Sequence, residues 1–267
     1  MSVYRPELTI QGAQAMPGDC QLEARFVFAA PDDMARGTEC LAEACAVLAQ
    51  AGRLGAFPLS RHGRHAPDLS ASATVRIDDR QAGVLFAASN LDPKAFQCLR
   101  NMLGELARLD VLLAAIRVTV RGSGGERVVR VPEVDTANES VAYPACVVTP
   151  VDFEFVWADS QFSKSRRVLL EFGAEPPRDL PARLAPWLQA WYRLLEMGAF
   201  STPFGLPFET ESQRGQLSLF DRTSYEISVS RYVSSEAGFR VLANMLAHFN
   251  AHRSAPDFVP IARVEVD

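Results

Sequence analysis

Lysine is nearly missing from this chain: Lys94 and Lys164 are the only two in 267 residues, and arginine supplies the other positive charges. Even so, 27 basic residues fall short of 32 acidic ones, which leaves a formal charge of −5. General nucleic-acid binding draws on a surplus of cations that displace phosphate counterions, so this balance argues against a nucleic-acid partner. Cysteine is scarce as well. There are five, an odd number with no C-x-x-C pair, and Cys45 and Cys98 fall in helical patterns where a thiol acts as a small buried hydrophobe. That usage fits a reducing compartment better than a disulfide framework. Long apolar runs are absent too. The tightest, Val111 to Ile116, is far too short to span a bilayer, and Met1 to Cys20 lacks the basic-then-apolar order of a secretory leader. The expectation is a soluble cytoplasmic protein with no membrane contact.

Catalytic signatures are also wanting. The chain has no G-x-S-x-G, no G-x-x-x-x-G-K-[ST] and no H-E-x-x-H. Gly122-Ser123-Gly124-Gly125 follows a strand pattern but precedes another strand, where a dinucleotide fingerprint needs a helix, so it reads as a turn. No catalytic residue and no cofactor is assigned on these grounds, and the reading tilts away from an enzyme.

What the chain does contain is a repeat. Phe96, Leu99, Asn101, Met102 and Leu103 recur as Phe239, Leu242, Asn244, Met245 and Leu246, with 239 − 96 = 143. Gly55-Ala56-Phe57 recurs as Gly198-Ala199-Phe200 at the same offset of 143 residues. An apolar helix face can recur by chance, but burial does not demand a shared Asn or a shared Gly-Ala-Phe. Internal duplication explains both.

Hydrophobic periodicity gives both halves the same order of elements. In the first, Leu22 to Ala30 reads as a strand, and Leu41, Cys45, Leu48 and Leu54 mark a helix that Gly52 and Gly55 close. Ala73, Val75 and Ile77 alternate before the turn Asp78-Asp79-Arg80, and Gly83 to Ala88 returns. Phe96, Leu99, Leu103 and Leu106 line a second helix, and Val111 to Val120 is the last strand. In the second half, Arg167 to Phe172 is a strand. Leu184, Trp187, Leu188, Trp191, Leu194 and Leu195 then line a helix, and Gly215 to Phe220 with Thr223 to Val229 form a hairpin. A helix with Phe239, Leu242, Leu246 and Phe249, then Ile261 to Val266, completes it. The predicted fold class is α+β: two ferredoxin-like βαββαβ halves related by a pseudo-twofold axis. Extra strands are expected at Glu7 to Gln11 and Val151 to Trp157, and an edge strand at Val128 to Val131. The boundaries are 1–120 for the first repeat, 121–150 for a connecting segment and 151–267 for the second. Helices on one side of each sheet leave the other side uncovered, so the halves are expected to bury or extend their sheets against each other.

The densest cluster of polar side chains is the loop Arg61-His62-Gly63-Arg64-His65, followed by Asp68. His62 and His65 with Asp68 suit a transition metal, but two intervening arginines repel a divalent cation, so no metal is assigned. The same arginines suit a phosphate or carboxylate, and Arg61, His62, Arg64 and His65 form the ligand site of the alternative reading. A solvated connecting loop is the simpler explanation of the same residues, since loops are usually connectors. The corresponding loop of the second repeat, Ser201 to Pro207, is apolar, with Phe204 either capping a core or facing a partner. Trp187 and Trp191, at i and i+4, read as core. Paired acids recur in turns, notably Asp32-Asp33 and Asp78-Asp79, and gathered on one face they would meet a basic protein. The expectation is therefore a non-enzymatic protein-binding protein, most concretely an immunity protein covering a toxin's active site through Asp32, Asp33, Asp78, Asp79 and Phe204. A small-molecule enzyme or sensor, with its pocket between the repeats near the Arg61–His65 loop, is the alternative.

Overall fold

In the computed structural model the described residues are 16–28, 33–57, 68–76, 81–91, 95, 98, 102, 113–122, 125–131, 152–157, 165–200, 217–230, 236–252 and 257–267. They form a mixed α+β structure. The first half runs β1 (Met16–Phe28), α1 (Asp33–Arg53), β2 (Asp68–Arg76), β3 (Gln81–Leu91), β4 (Leu113–Gly122) and β5 (Gly125–Val131). Ala95, Cys98 and Met102, between β3 and β4, are helical and fully buried. The second half runs β6 (Glu154–Trp157), β7 (Ser165–Phe172), α2 (Leu180–Glu196), β8 (Leu217–Leu219), β9 (Ser224–Ser230), α3 (Glu236–Ala251) and β10 (Ile261–Val266).

One sheet has the order β2-β3-β1-β4-β5 and is antiparallel throughout. The other has the order β6-β10-β7-β9-β8, and only β6 on β10 is parallel. The edge strand expected at Val128 to Val131 is β5, and that expected at Val151 to Trp157 is β6. The strand expected at Glu7 to Gln11 lies outside the described residues. Asp221 sets the hairpin between β8 and β9: its carboxylate accepts the Thr223 backbone N–H at 2.8 Å. That bond, with further ones from Ser224 and Thr223, holds the carboxyl below its usual range.

Both α1 and α2 end in the same glycine cap. The Gly55 N–H donates to Gly52 C=O and the Ala56 N–H to Ala51 C=O, each at 3.0 Å. Gly198 to Leu195 and Ala199 to Leu194 repeat this pair, also at 3.0 Å. Bonds of this span tie off the orphan carbonyls of a helix end and need a left-handed residue at the cap. Gly55 and Gly198 supply it, with φ of 87° and 72°. The Gly-Ala-Phe recurrence is thus, in part, a recurring helix stop.

In the second sheet, side chains alternate between two environments. Val168, Leu170, Phe172, Tyr225, Ile227, Val229, Val264 and Val266 are buried, while Leu169, Glu171, Glu226, Arg263 and Glu265 between them are only partly so. Helices cover the apolar side. Trp157 lies 5.5 Å from the Phe239 ring of α3, and Phe239 equally far from Trp191 of α2.

Among the described residues the main contacts between the halves run through helices, α1 against α2, where the sequence-based expectation is a sheet contact. Arg193 of α2 pairs with Glu43 of α1, and Asn244 of α3 donates to the Ala56 carbonyl at 3.4 Å. The physical reason is the breadth of the apolar arc on α1. Ala44, Cys45, Val47, Leu48, Ala49 and Ala51 are all buried, too many for a single stripe against one sheet. Their small size lets a second helix approach closely.

Candidate functional site

Where the α1 cap meets α3, five residues converge. Gly55 has no side chain, and His248 occupies the space: an ideal Cβ on Gly55 would lie 2.4 Å from His248 Cβ and 2.8 Å from its Cγ. Trp187, on α2, donates its indole N–H to His248 Nδ1 at 3.3 Å. His252, just beyond the end of α3, lies with its ring centre 4.2 Å from that of His248. Phe249 closes the group, edge-on to Trp187 at 5.1 Å and 5.5 Å from Phe258. A helix repeat of 3.6 residues puts His248 and His252 on one face, and the glycine cap brings α1 against it.

These bonds fix the tautomers. An indole N–H can only donate, so His248 Nδ1 holds a lone pair and the ring's proton sits on Nε2. His252 Nδ1 lies 2.8 Å from the His248 carbonyl, which can only accept, so the proton of His252 is on Nδ1 and its Nε2 is the basic atom. Burial, and after it the charge of His252, pushes His248 down to about 4. His248 is therefore a neutral acceptor at the junction. Binding a metal through its Nε2 would require a proton on Nδ1, facing the Trp187 N–H. Among the described residues, no group of three or more His, Cys, Asp or Glu is placed to hold a metal ion.

A second polar group borders this one. Arg183, one turn before Trp187, donates to Asp179 at 2.9 Å and to both oxygens of Asp257 at 3.0 and 2.9 Å. The guanidinium holds Asp257 below the usual carboxylate range. Elsewhere, Arg166 lies over the Trp157 ring, 4.5 Å from its centre.

Of the residues singled out in the sequence, Asp33 is the first residue of α1. Asp32, Asp78, Asp79, Phe204, Arg61, His62, Arg64 and His65 lie outside the described residues, and Asp68 is the first residue of β2. Cys45 and Cys98 are buried free thiols, and burial pushes Cys45 up to about 12, the character of an inert core cysteine. Trp191 is core: it is fully buried, and its indole donates to the Gly238 carbonyl at 2.8 Å. Trp187 is half-buried, packs against the core and also belongs to the histidine group.

Sequence reasoning missed that group. His248 and His252 at i and i+4 were its only local signal, since Trp187 is 61 positions from His248 and Gly55 is farther still. Among the described residues, no helix is long and apolar enough to cross a membrane. No protein-family model matches this chain, and no curated protein matches it.

Proposed function

We propose that this chain is a non-enzymatic protein-binding protein built by internal duplication of two ferredoxin-like units. Strand order supports the duplication: β2-β3-β1-β4 and β8-β9-β7-β10 follow one scheme, with a fifth strand, β5 or β6, beside the last. The shared offset supports it too. Adding 143 to Arg53, the end of α1, gives Glu196, the end of α2, and adding it to Gln81, the start of β3, gives Ser224, the start of β9. Paired glycine caps at Gly55 and Gly198 obey the same arithmetic.

The observation that carries the binding role is the side of the second sheet turned away from the helices. Register sets Val156, Glu265, Leu169, Glu226 and Ser218 in one row across five strands, and Glu154, Arg263, Glu171 and Ser224 in the next. Four glutamates outweigh Arg263 there, and Arg263 is already engaged by Glu265 at 2.7 Å. At the margin Phe220 is 54% exposed and Leu219, which register sets on the Tyr225 side of β8, is 65% exposed, the large apolar side chains left open to water among the described residues. An acidic field with apolar groups at its edge suits a basic protein surface: charge steers the encounter and apolar contact slows release. The most concrete form of this reading is an immunity protein that covers a bacterial toxin's active site.

The test is capture from the native host with the wild-type chain and with a Glu171→Lys/Glu226→Lys variant. The expected result is a basic protein whose association slows as salt rises and which the variant binds at least about tenfold more weakly. If no protein is captured and small molecules raise the melting temperature instead, the alternative enzyme or sensor reading, centred on Arg61, His62, Arg64 and His65, replaces this one.

A further inference from the structure

We propose that His248 is a proton-operated latch, which joins the α1 cap of the first half to α2 and α3 of the second while neutral and releases that junction when it gains a proton. Three contacts define it. The His248 ring fills the space over Gly55, it accepts the Trp187 N–H at 3.3 Å, and it lies 4.2 Å from the His252 ring centre.

Protonation changes only Nδ1, the atom that faces the indole. An N–H then opposes the Trp187 N–H, so a half-buried hydrogen bond is replaced by two opposed donors. The new charge also lies beside the His252 ring, whose charge already disfavours a proton on His248. Among the described residues, no carboxylate makes a hydrogen bond or ion pair with His248 to offset this. On α3 the neighbour is His252. On α2, one turn before Trp187, the Arg183 guanidinium is already held by Asp179 and by Asp257 ahead of β10. On the α1 side, Gly55 has no side chain and Arg53, two residues earlier, is exposed and cationic. Relief comes from moving the cap away from α3.

The sign of the pH effect follows. His248 is depressed from 6.5 to about 4 in the folded protein. As pH falls below 6.5 the unfolded chain binds a proton that the folded chain refuses, so stability falls between about 6.5 and 4 and levels off below.

Proton NMR of the whole 267-residue chain tests this without a variant. His248 is expected to titrate near 4, well below the ordinary 6.5 of a histidine, and the Trp187 indole N–H resonance is expected to shift with the His248 midpoint. In denaturant titrations from pH 7 to 4, the wild-type midpoint falls. His248→Gln, whose amide oxygen can still accept the indole N–H, is expected to lose most of that pH dependence, while His252→Gln retains part of it. A His248 midpoint at the ordinary value, or a Trp187 resonance indifferent to it, overturns the latch. So does an undiminished acid loss in a folded His248→Gln protein.

Discussion

Gly55 carries two constraints that no other residue type meets together. Its φ of 87° is a conformation that costs an L-residue about 1–2 kcal/mol. Its missing Cβ is also the space His248 occupies, at 2.4 Å from where that atom would be. Gly55→Ala is therefore expected to destabilise by more than the backbone cost alone, about 2 kcal/mol or above. A denaturant midpoint within error of wild type would mean that the cap is not seated on α3. The sequence marked Gly55 as a helix stop and as part of the repeat, and both features are legible in one dimension. It could not show what the repeat is for. Asn244 and Ala56 are 188 positions apart, yet the Asn244 side chain donates to the Ala56 carbonyl. The two motifs that burial did not explain meet each other across the halves. Asn250 was overlooked for the same reason. It pairs with both backbone groups of Ile261 at 2.9 Å, a contact written in loop closure and not in any motif.

Among the elements, helices were read more securely than their surroundings. Phe239, Leu242, Leu246 and Phe249, named from their spacing, are all buried on α3. Leu246→Ala is expected to cost about 2–5 kcal/mol, since it leaves a cavity in close-packed core. An unshifted midpoint would mean that this face of α3 is not core. Its counterpart Leu103 lies outside the described residues, and the repeat predicts an equal cost there. Strand limits were less legible. β1 begins at Met16, well before Leu22, and β3 continues to Leu91, past Asn90. Polar residues such as Asp19 and Ser89 pair in register there, and hydrophobic alternation is silent where backbone hydrogen bonds alone extend a ladder. The breadth of the α1 arc was legible in principle. Leu41, Cys45 and Leu48 mark a single stripe by period, whereas burial on two sides requires small residues such as Ala44, Ala49 and Ala51 beside them.

At the scale of the whole molecule, the helix junction changes how the two halves must behave. Sheets joined edge to edge, or separate lobes on a linker, would let each half keep its own core and melt by itself. Here the buried apolar side chains form one cluster, in which Ala44, Leu48, Phe57 and Met102 of the first half join Trp191, Phe239 and Met245 of the second. Unfolding either half exposes apolar surface on the other and breaks the Asn244 and Arg193 contacts between them. The transition should therefore be cooperative across the chain. Calorimetry is expected to show a single endotherm with matching van't Hoff and calorimetric enthalpies near pH 7, where His248 is neutral. Met102→Ala and Met245→Ala, one on each side, should move that endotherm down as a unit, each by about 2–5 kcal/mol in stability. Two resolved transitions, with each substitution shifting only one, would show that the helices touch without coupling. They would also remove the reason for a latch at the junction, because there would be no shared core for His248 to hold closed.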